Sequence, residues 1–536
     1  MNRLHQPSNQ KPGIRFWLLS CIIMCFVFGE TCAYENTWRI VFNQPQYAAG
    51  DTALFAMVGL GNKQVSEKTV FTVKLLDKEG TIVFNNRILS TAGLASGYVL
   101  FPEGIPAGVL TMVIIPEVRS EDNNFGYTVN WWISENGTIL CLNNKQINDT
   151  CTKTKISVDS LFGVRDKVTV KVVGERINNL VVASYNKQVF TDFDNGIYVE
   201  PDTVTVNSNL NTTARWPYYF RGRVIPEVKE KTRLDSIAIT VYLSKSNLIY
   251  KVYTNKNGLF EFPLFMDFED DWVFYKITRK EQTIIATIEL EDVTIAPTQV
   301  KVDTAKLSLT YSAYNNIRKS VESSYHFFQH KENTAKASPP QADIIADIDV
   351  SMEKYEPFNT VYDIFLNVVP MVKYRVGEPD QVRVFLKKSA GYAMTDPLYI
   401  VNGYMTDQTE LIARLDPKSI KRIGVLRTEK TLARFDKLGS NGIIVIETTI
   451  PVALVSKNSF FVRGVTKYPI TSTAVALDSK TPDLRPSVFW WAGKLPVEGF
   501  SFYTSNAPGQ YIIHTFVTGS EKPCSIQQAI RVSISK

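Results

Sequence analysis

Val70-Phe-Thr-Val-Lys-Leu-Leu76, Asp77-Lys-Glu-Gly80 and Thr81-Ile-Val-Phe84 follow one another without a gap. The outer runs are β-branched and aromatic, and the four residues between them are a turn, so the segment predicts a β-hairpin. The same grammar surrounds it. Trp38-Arg-Ile-Val-Phe42 alternates, Gly50-Asp51 turns into Thr52-Ala-Leu-Phe-Ala-Met-Val58, and Pro106-Ala-Gly108 leads into Val109–Ile115. Short strands punctuated by Gly, Asp and Pro predict a β-sandwich over 34–118.

Working outward, residues 119–215 predict a second sandwich. Phe162 to Val172 is its clearest strand, Asn179 to Ser184 its partner, and Asp192 to Asn211 a loop. Residues 216–295 predict a third, in which Asn257-Gly258 makes a hairpin turn and Phe260 and Phe262 share a face. Residues 296–350 predict a helix, Ser312 to Phe328, followed by a Pro/Ala/Ser/Lys linker at 331–342. Residues 351–450 read as α/β. Helices are expected over Val361–Val369 and Asp407–Leu415, and strands over Val382–Leu386, Leu398–Val401, Ile420–Leu426 and Gly442–Thr448. Residues 451–536 close with a further sandwich. The fold class expected is mostly β and multi-domain: serial sandwiches plus one small α/β domain.

The first 33 residues predict export. Arg3, Lys11 and Arg15 precede Phe16–Gly29, fourteen residues without a charge, and Thr31-Cys32-Ala33 offers small residues for cleavage. A membrane anchor is the competing reading, but a spanning helix needs roughly 20 apolar residues. Net charge falls from +6 to +4 once Arg3, Lys11, Arg15 and Glu30 are gone. That is mild, and no Lys/Arg cluster marks a nucleic-acid footprint. Cys141, Cys151 and Cys524 remain. Cys141 and Cys151 flank a polar, Asn-rich loop, and a disulfide between them is expected in an oxidising compartment.

Several motifs resemble known families. Tyr47-Ala-Ala-Gly-Asp-Thr52, the Asp77–Gly80 hairpin and Pro106-Ala-Gly108 resemble, in order, a macroglobulin-type domain of bacterial envelope proteins. Residues 216–295 resemble a carboxypeptidase-regulatory-like sandwich, an accessory module that implies no peptidase. Pro397-Leu-Tyr-Ile-Val-Asn-Gly403, then Leu415-Asp-Pro-Lys-Ser-Ile-Lys-Arg-Ile-Gly-Val425, then Gly439-Ser-Asn-Gly-Ile-Ile-Val-Ile-Glu-Thr448 resemble the plug domain of TonB-dependent outer-membrane receptors. Pro397, Asn402, Gly403, Pro417, Gly439 and Gly442 are the motif's structural positions. Asn402 stands where the family has Asp, and Phe435-Asp436 where it has Tyr-Gly. A receptor's plug fills a barrel of about 22 strands; the 86 residues after Ile450 are too few for one. The whole order resembles that of Bacteroidota envelope proteins combining these domains.

Chemistry is scarce. His326 and His330 lack the Glu that a zincin places after the first His. Pro-Cys524-Ser-Ile-Gln527 does not match a thioester run. Asp267, Glu269, Asp270 and Asp271 lack the ligand alternation of a calcium loop. No nucleophile elbow, Walker loop or dinucleotide fingerprint occurs. Trp490-Trp491 and Trp131-Trp132 each place one ring outward if they lie on strands; inter-domain packing is the role expected of them, with a recognition surface at Trp490 and Trp491 as the alternative. The expectation is a non-enzymatic envelope scaffold, periplasmic or outer-membrane associated. It has no cofactor, no metal and no nucleic-acid partner, and it docks an envelope protein such as an outer-membrane receptor. An accessory of TonB-dependent uptake is the alternative, and an enzyme with an unrecognised site a third.

Overall fold

The computed structural model describes residues 38–59, 68–117, 125–142, 151–174, 177–190, 197–208, 219–227, 233–264, 269–280, 282–284, 286–291, 293–295, 309–325, 344–450, 456–465, 481–519 and 524–534. The expected export leader, His326, His330, the expected 331–342 linker and Asp267 lie outside them. Strand dominates, and the chain divides into three sandwiches and one α/β domain.

The hairpin at 77–80 forms as expected. Asp77 Oδ1 accepts from the amides of Glu79 (2.9 Å) and Thr81 (2.8 Å), and Gly80 takes φ +83°. Its strands, Thr69–Leu76 and Ile82–Thr91, sit inside an eleven-stranded sheet that wraps one core. Alternate residues Phe71, Val73 and Leu75 point into that core. At its centre Trp131 is packed edge-on by Phe42, Tyr47 and Phe101, with centroids 4.8, 5.6 and 5.3 Å away.

The first boundary is a correction. Phe125–Ile133 pairs with Gly108–Pro116, and Thr138–Cys141 continues the same sheet. The boundary expected at 118/119 therefore falls between two hydrogen-bonded strands. Part of the expected 192–211 loop is strand as well. Tyr198–Val199 and Asp202–Thr205 add to the first sandwich, and Asn207–Ser208 pairs with Val293–Thr294.

The second sandwich is discontinuous. Leu161–Gly163 and Lys167–Val173 are separate strands, with Arg165 between them at φ +63°. Lys167–Val173 pairs with Lys155–Ser157 and with Phe500–Tyr503, not with 179–184. Ile177–Asn186 lies between Ser487–Gly493 and Gly509–Gly519, and Cys524–Ser533 follows. Val168, Val170, Phe489, Phe502, Ile513 and Ile530 fill its core. Residues expected as two sandwiches, one before 215 and one after 451, are halves of a single unit.

The disulfide follows this topology. It joins Cys151 to Cys524, 373 residues apart, instead of Cys141 to Cys151. The pleat decides the matter. Cys141 lies opposite Trp131 and turns its thiol into the first core, where it is 4 % exposed. Cys151 belongs to the other sandwich, where its amide donates to the Ser525 carbonyl at 3.2 Å.

A shared apolar seam joins the two sandwiches, holding Val58, Ala183, Phe190, Tyr311, Trp490 and Phe516. Helix Leu309–Tyr325, three residues upstream of the expected span, closes over it. Arg318 reaches Asp51 at 2.5 Å and Glu322 at 3.2 Å, and Tyr314 donates to the Leu484 carbonyl at 2.8 Å. Asp51 is the acid of the Tyr47–Thr52 turn, where it also accepts from the Ala48 amide at 2.9 Å.

The third sandwich spans Tyr219–Leu290. Gly258 sits at φ +75° in its hairpin, and Phe260 and Phe262 are both buried in the core. It gains a strand from far downstream: Ser459–Val462 pairs with Asp271–Arg279, and Phe460 stacks on Phe220 at 4.7 Å.

Candidate binding face on the α/β domain

Residues 344–450 form a five-stranded sheet in the order Ile348–Ser351, Ile420–Leu426, Ile443–Thr448, Leu398–Val401, Tyr404–Thr406. Leu398–Val401 runs parallel to Ile443–Thr448, and the other pairs are antiparallel. Both faces are buried. On one, Tyr399, Val401, Ile423 and Ile444 meet Val361, Ile364, Phe365 and Ile412 from the helices. On the other, Ile400, Met405, Ile443 and Val445 join Tyr242 and Phe274 of the third sandwich. Helix Val361–Asn367 starts at a capping box in which Thr360 and Asp363 satisfy each other's amides, three residues after the Pro357 that marks it in sequence. The expected helix over 407–415 is confined to Thr409–Ala413.

The motif positions have structural work here. Asn402 (φ +48°) and Gly403 (φ +86°) form the tight turn between the paired strands Leu398–Val401 and Tyr404–Thr406. Two positive φ values at a two-residue loop are what an Asn-Gly pair tolerates best. Asn402 also donates to Thr448 Oγ1 (2.8 Å) and accepts from the Thr448 amide (3.0 Å), fastening the end of the neighbouring strand. The amide group supplies both a donor and an acceptor, which a carboxylate does not. Pro417 opens a 3₁₀ turn capped by Asp416, and Pro397 is buried just before Leu398. A Cβ on Gly439 would stand 3.2 Å from Leu432. Gly442 has φ +85°, and a Cβ there would stand 2.8 Å from Val384. Phe435, in the departure from the plug pattern, is buried against the third sandwich.

A second, three-stranded sheet carries the exposed chemistry: Val372–Arg375, Gln381–Leu386 and Gly391–Tyr392. Its inner face, Tyr374, Val382, Val384 and Ala393, is buried. Because side chains alternate, Lys373, Arg375, Gln381, Phe385 and Tyr392 fall on the outer face. Met371 lies opposite Phe385, which donates its amide to the Met371 carbonyl at 2.8 Å, and Phe385 lies opposite Tyr392. An apolar row thus crosses the sheet. Phe385 and Tyr392 pack edge-on at 5.4 Å, Lys373 Nζ lies 5.9 Å from the Tyr392 ring centroid, and the Arg427 guanidinium lies 5.5 Å from that of Phe385. Tyr392 and Met394 are 47 % and 87 % exposed. Arg383 is held by Asp396 at 3.9 Å and Lys388 by Glu429 at 2.6 Å. Lys373 and Arg375 are exposed and in no ion pair among the described residues. Behind the face, burial works to raise the Asp347 carboxyl. The Arg427 amide, the Thr431 and Thr428 hydroxyls and the Thr428 amide overcome it and hold the group below the usual carboxylate range. Asp347 therefore stays charged and pins the Arg427 loop beneath Phe385.

The sequence singled out none of these outer-face residues. The signal was present in the alternation Lys373-Tyr-Arg375 and Arg383-Val-Phe385, where charged and aromatic residues share a parity.

The recognition-surface alternative for the tryptophans is corrected. Trp490 is fully buried in the seam between the first two sandwiches. Trp491 is half-buried, packs against Phe500 at 5.4 Å and donates Nε1 to the Lys494 carbonyl at 3.2 Å. Inter-domain packing, the expected role, accounts for Trp490. The acidic run is also structural. Asp271 accepts from the amides of Lys245 and Ser246, Asp270 binds Arg463 and the Gly464 amide, and Glu269 pairs with Lys245. Burial raises Asp271 to about 6. Among the described residues, no three His, Cys, Asp or Glu side chains stand together as metal ligands.

One cleft, of about 270 Å³, lies between the first and third sandwiches. Its charges pair within each wall: Arg87 with Glu117 (3.1 Å) on the first sandwich, and Arg221 with Glu291 (3.6 Å) and Glu261 (3.5 Å) and Arg463 with Asp270 (3.1 Å) on the third. Arg87 also donates to the Arg463 carbonyl at 2.8 Å. That bond is a polar contact that crosses the cleft. No helix among the described residues is long and apolar enough to cross a membrane.

No protein-family model matches this sequence, and no curated protein does. Solved structures with some similarity include Escherichia coli alpha-2-macroglobulin activated by porcine elastase, at 8 % identity and TM-score 0.21, covering 93 % of this chain and 44 % of that one. The native conformation of E. coli alpha-2-macroglobulin gives 8 % identity, TM-score 0.23 and coverage of 94 % and 40 %. A tetra-tandem repeat from the extending region of a large adhesion protein gives 9 % identity, TM-score 0.14 and coverage of 92 % and 98 %. The chain spans less than half the length of the macroglobulins it resembles.

Proposed function

We propose that this chain is a non-enzymatic binding and scaffold protein of the bacterial cell envelope, whose α/β domain is its docking module. The observation that carries the reading is the division of surfaces in residues 344–450. The five-stranded sheet is buried on both faces, one of them against the third sandwich, while the three-stranded sheet presents a basic and aromatic outer face. Exposed aromatic and cationic groups in one patch are the composition of recognition surfaces. The three ordered sequence blocks that resemble a receptor plug favour a second reading, an accessory of TonB-dependent uptake bound beside a receptor.

The test is affinity capture from detergent-solubilised envelopes with the full chain, compared with Lys373→Glu/Arg375→Glu. The proposal expects a specific envelope protein held by the wild type and lost by the variant; recovery of a receptor selects the uptake reading. Repeated capture of nothing, or substrate turnover abolished by a single substitution, overturns it.

A further inference from the structure

Resting on that reading, we propose that the strand Gly391–Tyr392 is an open edge that takes an extended, acidic segment of a partner protein as an added β-strand.

The hydrogen-bond pattern of the sheet leads to this. In the middle strand, Phe385 donates its amide to Met371, toward the strand Val372–Arg375. Neighbouring residues in a strand bond to opposite sides. Val384 accordingly faces the other way, and its carbonyl accepts from the Ala393 amide at 2.9 Å. The pairs Val384/Ala393 and Leu386/Gly391 are therefore the bonded ones, and Phe385/Tyr392 is a non-bonded pair. The N–H and C=O of Tyr392 point away from the sheet. Among the described residues neither of these groups has a partner. An edge left open in this way is a template for another strand.

The neighbouring side chains set the partner's chemistry. An added strand lies about 4.8 Å beyond Tyr392. Lys373 starts two strands away, but its ammonium is carried across to the Tyr392 ring, 5.9 Å from the centroid. It arrives with no carboxylate beside it, and Arg375 follows on the same face. Gly391 and Ala393 add no charge at the edge. Main-chain bonds supply affinity in this mode and alternate side chains supply selectivity. Acidic residues at alternate positions of the incoming segment match the cations, and the exposed Met394 takes an apolar one.

The experiment titrates the full chain with a fluorescein-labelled octapeptide of alternating glutamate and valine, followed by anisotropy. Three comparisons accompany it: the same peptide N-methylated at alternate residues, a lysine–valine octapeptide, and the variant Tyr392→Pro. Proline removes only an outward N–H and leaves the Ala393–Val384 bond in place, a position where edge strands accept it. The proposal expects the glutamate peptide to bind, and N-methylation, lysine or Tyr392→Pro each to weaken it at least about tenfold. It also expects slowed hydrogen exchange at the Tyr392 amide of the wild type with peptide bound, a readout that survives if the proline variant fails to fold. Equal binding by the lysine or N-methylated peptide, unchanged exchange at that amide, or no binding at millimolar peptide overturns it. An envelope protein captured equally by wild type and Tyr392→Pro would sink the edge while leaving the docking function standing.

Discussion

His514 gives the sharpest physical prediction. It is the one histidine among the described residues and is 3 % exposed, in the layer between the first two sandwiches. Its Nε2 faces the Tyr185 hydroxyl at 3.1 Å, its ring stacks on Tyr185 at 5.5 Å, and Tyr198 packs edge-on at 5.7 Å. Nδ1 is buried without a hydrogen-bond partner. Burial first, and the positive Lys187 second, lower its pKa from 6.5 to about 3. The native state therefore holds a neutral imidazole, whereas the unfolded chain protonates near 6.5. The stability contribution is intact above pH 6.5 and is lost as the pH falls toward 3. Each unit is worth about 1.36 kcal/mol, so the loss is about 2 kcal/mol at pH 5 and about 4 kcal/mol at pH 3.

Asp271 acts in the opposite sense. Its pKa is raised from 3.8 to about 6, so its strain is relieved as the pH falls from about 6, by roughly 1.4 kcal/mol at pH 5. The wild-type profile mixes the two, and a difference measurement separates them. His514→Gln keeps a polar group for Tyr185 and removes the titration. Denaturant unfolding of both proteins at pH 7.5 and pH 5, followed by tryptophan fluorescence, reads the layer through Trp490, which shares the seam with Tyr185 and Tyr198. The wild type should lose about 2 kcal/mol more than the variant on acidification. A difference below about 0.5 kcal/mol would refute the reasoning, because that is the ordinary scatter of such comparisons.

Three other outcomes follow from the packing. Cys151→Ser or Cys524→Ser should destabilise the second sandwich by about 2–5 kcal/mol, and non-reducing peptide mapping should recover Cys151 joined to Cys524 with Cys141 alkylated only after denaturation. Gly442→Ala adds a Cβ 2.8 Å from Val384 at a backbone φ of +85°; thermal unfolding should show a loss of about 1–3 kcal/mol. Arg318→Met leaves Asp51 buried without its cation and should cost about 3–5 kcal/mol, whereas Arg318→Met with Asp51→Leu should recover much of the loss in a double-mutant cycle.

Local order was legible because it depends on near neighbours. The alternation of Val70–Leu76, the Asp77–Gly80 turn and the Asn257-Gly258 turn are each decided within about ten residues, and each forms where the sequence places it. The strands of the α/β domain were legible for the same reason, since β-branched runs bounded by Gly and Pro carry their own signal. The outer face of its three-stranded sheet was missed because parity alone does not say which face is covered.

What pairs with what was not in the sequence. Ile177–Asn186 is apolar enough to pair with any neighbour, and its partners lie more than 300 residues away. The reading by proximity joined Cys141 to Cys151 and split one sandwich into two. The structure reverses both, because the Cys141 thiol is committed to the first core by the pleat while Cys151 sits on the second. Trp490 follows the same logic: the sequence fixes its strand, and only the arrival of the first sandwich buries it. By itself the sequence determined the strands, turns and caps, through forces that act within a few residues. Only the tertiary structure decided the closure of the second sandwich, the disulfide and the exposed basic face, because apolar burial has no direction of its own and takes whichever partner the whole chain brings to it.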